Sequence, residues 1–117
     1  MASLRSQTMD AKYREYKQAH AADGRCVICD KPPIASFKYW KITTNDFPYD
    51  VIARDHHMLV PLRHAAEGDL TIEEFAEFEE IKTTYANARY DYMIEATIRK
   101  KSIPAHFHLH LIVEKHA

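Results

Sequence analysis

The segment His106-Phe107-His108-Leu109-His110-Leu111-Ile112-Val113 alternates imidazole and apolar side chains through Leu111. Side chains on a strand alternate faces with period two, so the pattern predicts a strand over 105–113. Phe107, Leu109 and Leu111 would anchor it on a core, and His106, His108 and His110 would share the other face. Successive histidines would stand ~6.6–6.8 Å apart along the strand. Three imidazoles in register point to chemistry more than to packing, because buried polar groups need partners. The first and third would lie roughly 13 Å apart, too far for one straight strand to deliver all three to a single ion. A zinc-dependent hydrolase using the three as its metal site is therefore the weaker reading.

Working outward, 56–61 (HHMLVP) reads as a buried strand closed by Pro61, and 50–53 as a short strand. The aromatic and β-branched run 34–43 (IASFKYWKIT) predicts another strand, with Trp40 in the core. Asn45-Asp46-Phe47-Pro48 is turn chemistry. Thr71-Ile72-Glu73-Glu74 is a capping box, and Ile72, Phe75, Phe78, Ile81 and Tyr85 behind it fall on one helical face, which predicts a helix over 71–89. Tyr92-Met93-Ile94 reads as a strand, and Arg99-Lys100-Lys101 as a basic loop. Residues 1–9 read as a flexible start and 10–23 as an N-terminal helix, with Thr8 or Asp10 as its cap and Gly24 as its stop.

The chain has 117 residues, 46% of them apolar, which suits a single domain with one modest core. Sixteen basic against seventeen acidic residues give a net charge of −1. That excludes an overall polyanion-binding field, and no specific nucleic-acid binding is expected. No stretch approaches the ~18 apolar residues of a membrane span, and the start lacks a secretion-type apolar region. A cytoplasmic protein is expected. The Cys26-Val27-Ile28-Cys29 spacing suits a metal knuckle, a redox pair or two unrelated thiols. Eight histidines are the compositional excess in which function is to be sought.

The run from His106 to Ile112 resembles the signature of the histidine triad (HIT) family of nucleotide hydrolases and transferases. The segment His56-His57-Met58-Leu59-Val60-Pro61-Leu62-Arg63-His64 is similar to a second family strand, and the acidic helix opened by Thr71 falls in the family's order. The likeness spans about 26–113. It implies an α+β fold with a central antiparallel sheet of about five strands, a long helix on one face and an added N-terminal helix. It also implies a homodimer joined through the long helix and an adjacent strand.

By this resemblance His108 attacks the α-phosphorus of a nucleotide, a purine nucleotide for preference, and forms a covalent nucleotidyl-imidazole that water cleaves. Its other ring nitrogen is held by a backbone carbonyl of the triad segment. His110 contacts phosphate or leaving group, and a His rather than Gln there implies hydrolysis. His56 is a fourth histidine beside the triad. Asn45 would hold ribose hydroxyls, with Ile42 and Phe47 flanking the base. Members with a zinc knuckle imply Cys26, Cys29, His64 and His106 as ligands of a structural zinc, a closed tetrahedral set, with no cofactor for catalysis.

The chain departs from the family just before the triad. Glu95 stands at the usual Asn, Ser102 at the Gln, Ile103 at the Ser, and Lys100 and Lys101 at glycines. A carboxylate would repel phosphate unless neutralised, which Lys101 and its neighbours are placed in sequence to do, and Ser102 can serve as a donor. These departures imply, as the alternative, a nucleotide-binding sensor without catalysis. Only four residues follow Val113, so a more open pocket is expected than in members with a longer tail.

Overall fold

The computed structural model describes residues 3–101 and 103–116. Helix α1 spans Gln7–Ala19 and a single turn, α2, spans Val27–Asp30. The strands are β1 (Ala35–Ser36), β2 (Trp40–Thr44), β3 (Ala53–Pro61), β4 (Tyr92–Ile94) and β5 (Leu109–Glu114). Helix α3 (Ile72–Ile81) runs on through a wide π-type turn at Lys82–Ala86 into α4 (Asn87–Arg89). The five strands make one antiparallel sheet in the order β1-β2-β3-β5-β4, which is an α+β fold. Among the described residues no helix is long and apolar enough to cross a membrane.

Period two assigns the sheet's two faces. Trp40, Ile42, Leu59, Leu109 and Leu111 project toward α3 and close on Phe78, Ile81 and Phe107 as the main core. On the other face Met58 and Val60 pack on Ile28 of α2. Central strand β3 is thus covered on both sides, which is why Met58-Leu59-Val60 reads as a continuous apolar run.

Several boundaries differ from the sequence expectation. The region 34–43 is a hairpin of two strands, and 50–52 is a turn. Helix α1 starts at Gln7 because Ser6 caps it, its Oγ accepting from Met9 N–H at 3.1 Å. The final strand begins at Leu109, not at 105. In the register Leu59↔Leu109, Phe107 would face Pro61, which has no N–H to offer. Phe107 N–H donates instead to Ala65 O at 2.8 Å.

The capping box forms as expected: Thr71 Oγ1 accepts from Glu74 N–H and Glu74 Oε1 from Thr71 N–H. The buried row of α3, however, is Glu74, Phe78 and Ile81, while Ile72 is 85% exposed and Phe75 41%. Glu74 can be buried because its carboxylate takes Thr71 N–H and Arg63, and its carbonyl takes Trp40 Nε1 at 2.9 Å.

Candidate functional site

Hydrogen bonds fix the tautomers of His56, His106, His108 and His110. His108 Nδ1 lies 3.0 Å from His106 O. A carbonyl only accepts, so the proton sits on Nδ1 and the Nε2 lone pair is left for a ligand. The His108 ring is buried and forms part of a cleft wall. Burial lowers its pKa, opposed by the bond to His106 O, so neutral imidazole predominates at neutral pH.

His56 and His110 form a directed chain behind it. Tyr49 N–H donates to His56 Nδ1 at 2.9 Å, so neutral His56 carries its proton on Nε2. That Nε2–H donates to His110 Nδ1 at 2.8 Å, and His110 Nε2–H then donates to Tyr49 Oη at 3.2 Å. Burial is the main cause that pushes both pKa values down to about 3, with Arg5 and the neighbouring rings adding to it. The perpendicular rings of His108 and His110 stand 5.1 Å apart, which places His110 beside the candidate nucleophile.

His106 turns to different work. Its Nε2–H donates to Pro61 O at 3.0 Å, leaving Nδ1 as an acceptor 3.4 Å from both Cys26 Sγ and Cys29 Sγ. His64 Nδ1 lies 3.3 Å from Cys29 Sγ, and the four donor atoms fall within 4.8 Å of one another. A tetrahedral Cys₂His₂ ion needs S···N edges of about 3.5 Å. The residues fit a metal: the donor set is soft, the spacing suits tetrahedral ligation, and the His106 tautomer offers a lone pair. The turn of α2 brings the two thiols together, and buried Lys41 braces it through Cys29 O and Lys31 O.

The triad therefore divides. His106 joins the metal-capable cluster, while His108 and His110 face a cleft lined also by Asn45, Phe47, Met58 and Ile28. This happens because residues 106–108 precede the paired strand and do not obey its alternation. Asn45 combines a turn role with its place in the cleft, its Oδ1 accepting from Phe47 N–H at 2.8 Å. Ile42 is a correction: it is fully buried on the α3 face of the sheet, one residue out of phase with the cleft face. Glu95 and Lys101 do not line the cleft. Glu95 is exposed, and Lys101 Nζ sits 3.5 Å from Glu67 and 4.0 Å from Glu95, with Phe107 beneath it. Ser102 lies outside the described residues.

Sequence reasoning missed Arg5, Tyr13, Tyr16, Tyr49 and Lys31, and took Ile103 only as a lost hydroxyl rather than as an apolar wall. Tyr13 and Tyr16, three residues apart on a mostly polar helix, were the available signal for a half-buried stripe. Helix α1 lies along the cleft through Tyr13 and Tyr16.

No family model matches the chain, and no curated protein or solved structure matches it.

Proposed function

We propose that the protein is a nucleotide hydrolase of the histidine triad type, acting at the α-phosphorus of a nucleoside phosphoramidate or dinucleoside polyphosphate. The observation that carries the reading is the bond from His108 Nδ1–H to His106 O. It fixes the tautomer that leaves Nε2 free in a cleft shared with Asn45, Phe47 and His110, and burial keeps the ring neutral. Nε2 attacks phosphorus, the bond to the leaving group breaks, and the leaving group departs with its electron pair and takes a proton. Water then attacks the nucleotidyl-His108, the P–N bond breaks, and a nucleoside monophosphate is released with Nε2 restored. His110, backed by His56 and Tyr49, stands beside this centre as a neutral hydrogen-bonding partner for phosphate or leaving group.

Zinc is the metal that this donor set suits, held by Cys26, Cys29, His64 and His106 as a closed structural site. When bound it supplies rigidity and takes no part in turnover. Its ligand His106 lends His108 a fixed carbonyl. We also propose a homodimer. Strand β4 is a sheet edge with Tyr92 53% and Met93 40% exposed, and a second copy pairing there would cover it.

A sensor that binds nucleotides without turnover is the second reading, favoured by apolar Ile103 in the cleft wall where a donor to the leaving group would serve catalysis. Mass spectrometry during incubation with a nucleoside phosphoramidate separates the two. A nucleotidyl adduct and released nucleoside monophosphate, both absent in His108→Ala that retains the wild-type circular dichroism, are expected. Turnover at the wild-type rate in that variant overturns the hydrolase, and binding with neither adduct nor turnover favours the sensor.

A further inference from the structure

The segment before α1 is tied to the domain on both sides of one cation. Leu4 O accepts from Val51 N–H at 3.1 Å. Two residues on, Ser6 N–H and Ser6 Oγ donate to the two oxygens of Asp50 at 2.7 and 2.6 Å. Between these ties Arg5 is presented into the cleft that holds His108 and His110. Its Nε donates to Phe47 O at 2.7 Å, and its guanidinium lies 4.4 Å from the centre of the Tyr13 ring and 5.0 Å from that of Tyr49. The stem and plane are held, while no carboxylate of the described residues stands within salt-bridge distance of it.

Lys31, the other cation that lines the cleft, is occupied. Lys31 bonds Asp46 at 2.7 Å and Thr44 at 3.1 Å. Lys101 is shared between Glu67 and Glu95, and Lys41 is spent on the carbonyls of the cysteine turn. Neutral histidines cannot balance a phosphate's charge. Beside Arg5, Tyr13 and Tyr16 of α1 bring their rings to 5.1 and 5.0 Å from Phe47, which makes an aromatic wall along the same cleft.

We propose that the N-terminal segment completes the ligand site, with Arg5 as the cation that binds the phosphate of a nucleotide and Tyr13 and Tyr16 as a wall for its base. The inference rests on the nucleotide reading and adds to it a residue and a helix that the triad chemistry does not require. A guanidinium with its Nε already anchored keeps its remaining N–H groups for a bidentate grip on phosphate oxygens, a stronger bond than neutral donors make. The aromatic wall favours planar ligands over a phosphate alone.

Calorimetric titration of the full chain with AMP and with adenosine tests this. Arg5→Gln should weaken AMP binding by about ten- to a hundredfold, the worth of a charge-assisted pair, and leave adenosine unchanged. Arg5→Met, which keeps the stem between the two rings, should do the same and decides the matter if the Gln variant does not fold. Tyr13→Leu should weaken AMP and adenosine alike. AMP affinity unchanged in a folded Arg5→Gln or Arg5→Met overturns the inference and leaves the hydrolase reading standing. Wild-type protein that binds neither ligand overturns both. An Arg5-dependent AMP affinity without any nucleotidyl adduct supports the inference while the hydrolase reading fails.

Discussion

His56 Nε2 and His110 Nδ1 meet at 2.8 Å inside the protein, and the direction of their bond is set from outside the pair by Tyr49 N–H. Each ring is 4% exposed, and neither can take a proton without burying a charge or breaking that chain.

This gives stability a pH dependence of definite sign. The folded pKa of both rings is about 3, against an ordinary value near 6.5 in the unfolded chain. The unfolded state therefore binds more protons between those limits. Stability is full above about pH 6.5 and declines as pH falls toward 3, at up to about 1.4 kcal/mol per pH unit per ring. His57, His106 and His108 are shifted the same way by burial and act in the same direction. Urea unfolding at pH 7, 6 and 5 should show the midpoint falling, and His110→Phe should flatten the slope. A midpoint independent of pH over that range would refute the buried neutral pair.

Metal content should follow the four-residue cluster and not the cleft. The purified protein is expected to hold one equivalent of zinc by atomic emission. Cys26→Ser and Cys29→Ser should each lose it and melt at lower temperature, because a structural ion contributes its binding free energy to folding. His110→Ala should retain it. Metal that survives both cysteine variants would place it elsewhere.

Phe78 and Phe75 lie three positions apart on one helix and should behave differently. Phe78 stacks on Trp40 at 4.8 Å and meets Phe107 edge-on at 5.5 Å. Phe78→Ala should cost about 3–5 kcal/mol in chemical denaturation. Phe75 is largely outside the core, and Phe75→Ala should cost less than about 1 kcal/mol. Equal losses would show that α3 is rotated differently on the sheet.

Association through β4 is checked by sedimentation. Wild-type protein should sediment as a dimer, and Met93→Glu, which puts a charge on the exposed edge, should shift it to monomer without loss of secondary structure. A wild-type monomer at micromolar concentration would remove the proposal.

Local order in the chain accounts for much of the architecture. Alternation around Leu109 and Leu111 predicts a strand, Thr71 and Glu74 predict the start of a helix, and Tyr92–Ile94 is a strand as read. These signals survive because periodicity and capping act between residues a few positions apart. Boundaries shifted where a distant partner intervened: Pro61, lacking an N–H, ends the ladder before His108, and Glu74, satisfied by Arg63 and Thr71, turns the predicted apolar stripe partly to solvent.

The order of residues by itself determined that imidazoles would crowd one end of the chain and that the thiols would share a turn. Only the tertiary structure decided that His106 faces the thiols while His108 faces the cleft, that Ile42 belongs to the core, and that Arg5 lines the cleft of His108 and His110. The reason is physical: which nitrogen of an imidazole holds its proton, and which way a cation is turned, depends on acceptors contributed from tens of residues away. Pro61 O for His106 and Phe47 O for Arg5 are such acceptors, and folding alone brings them near.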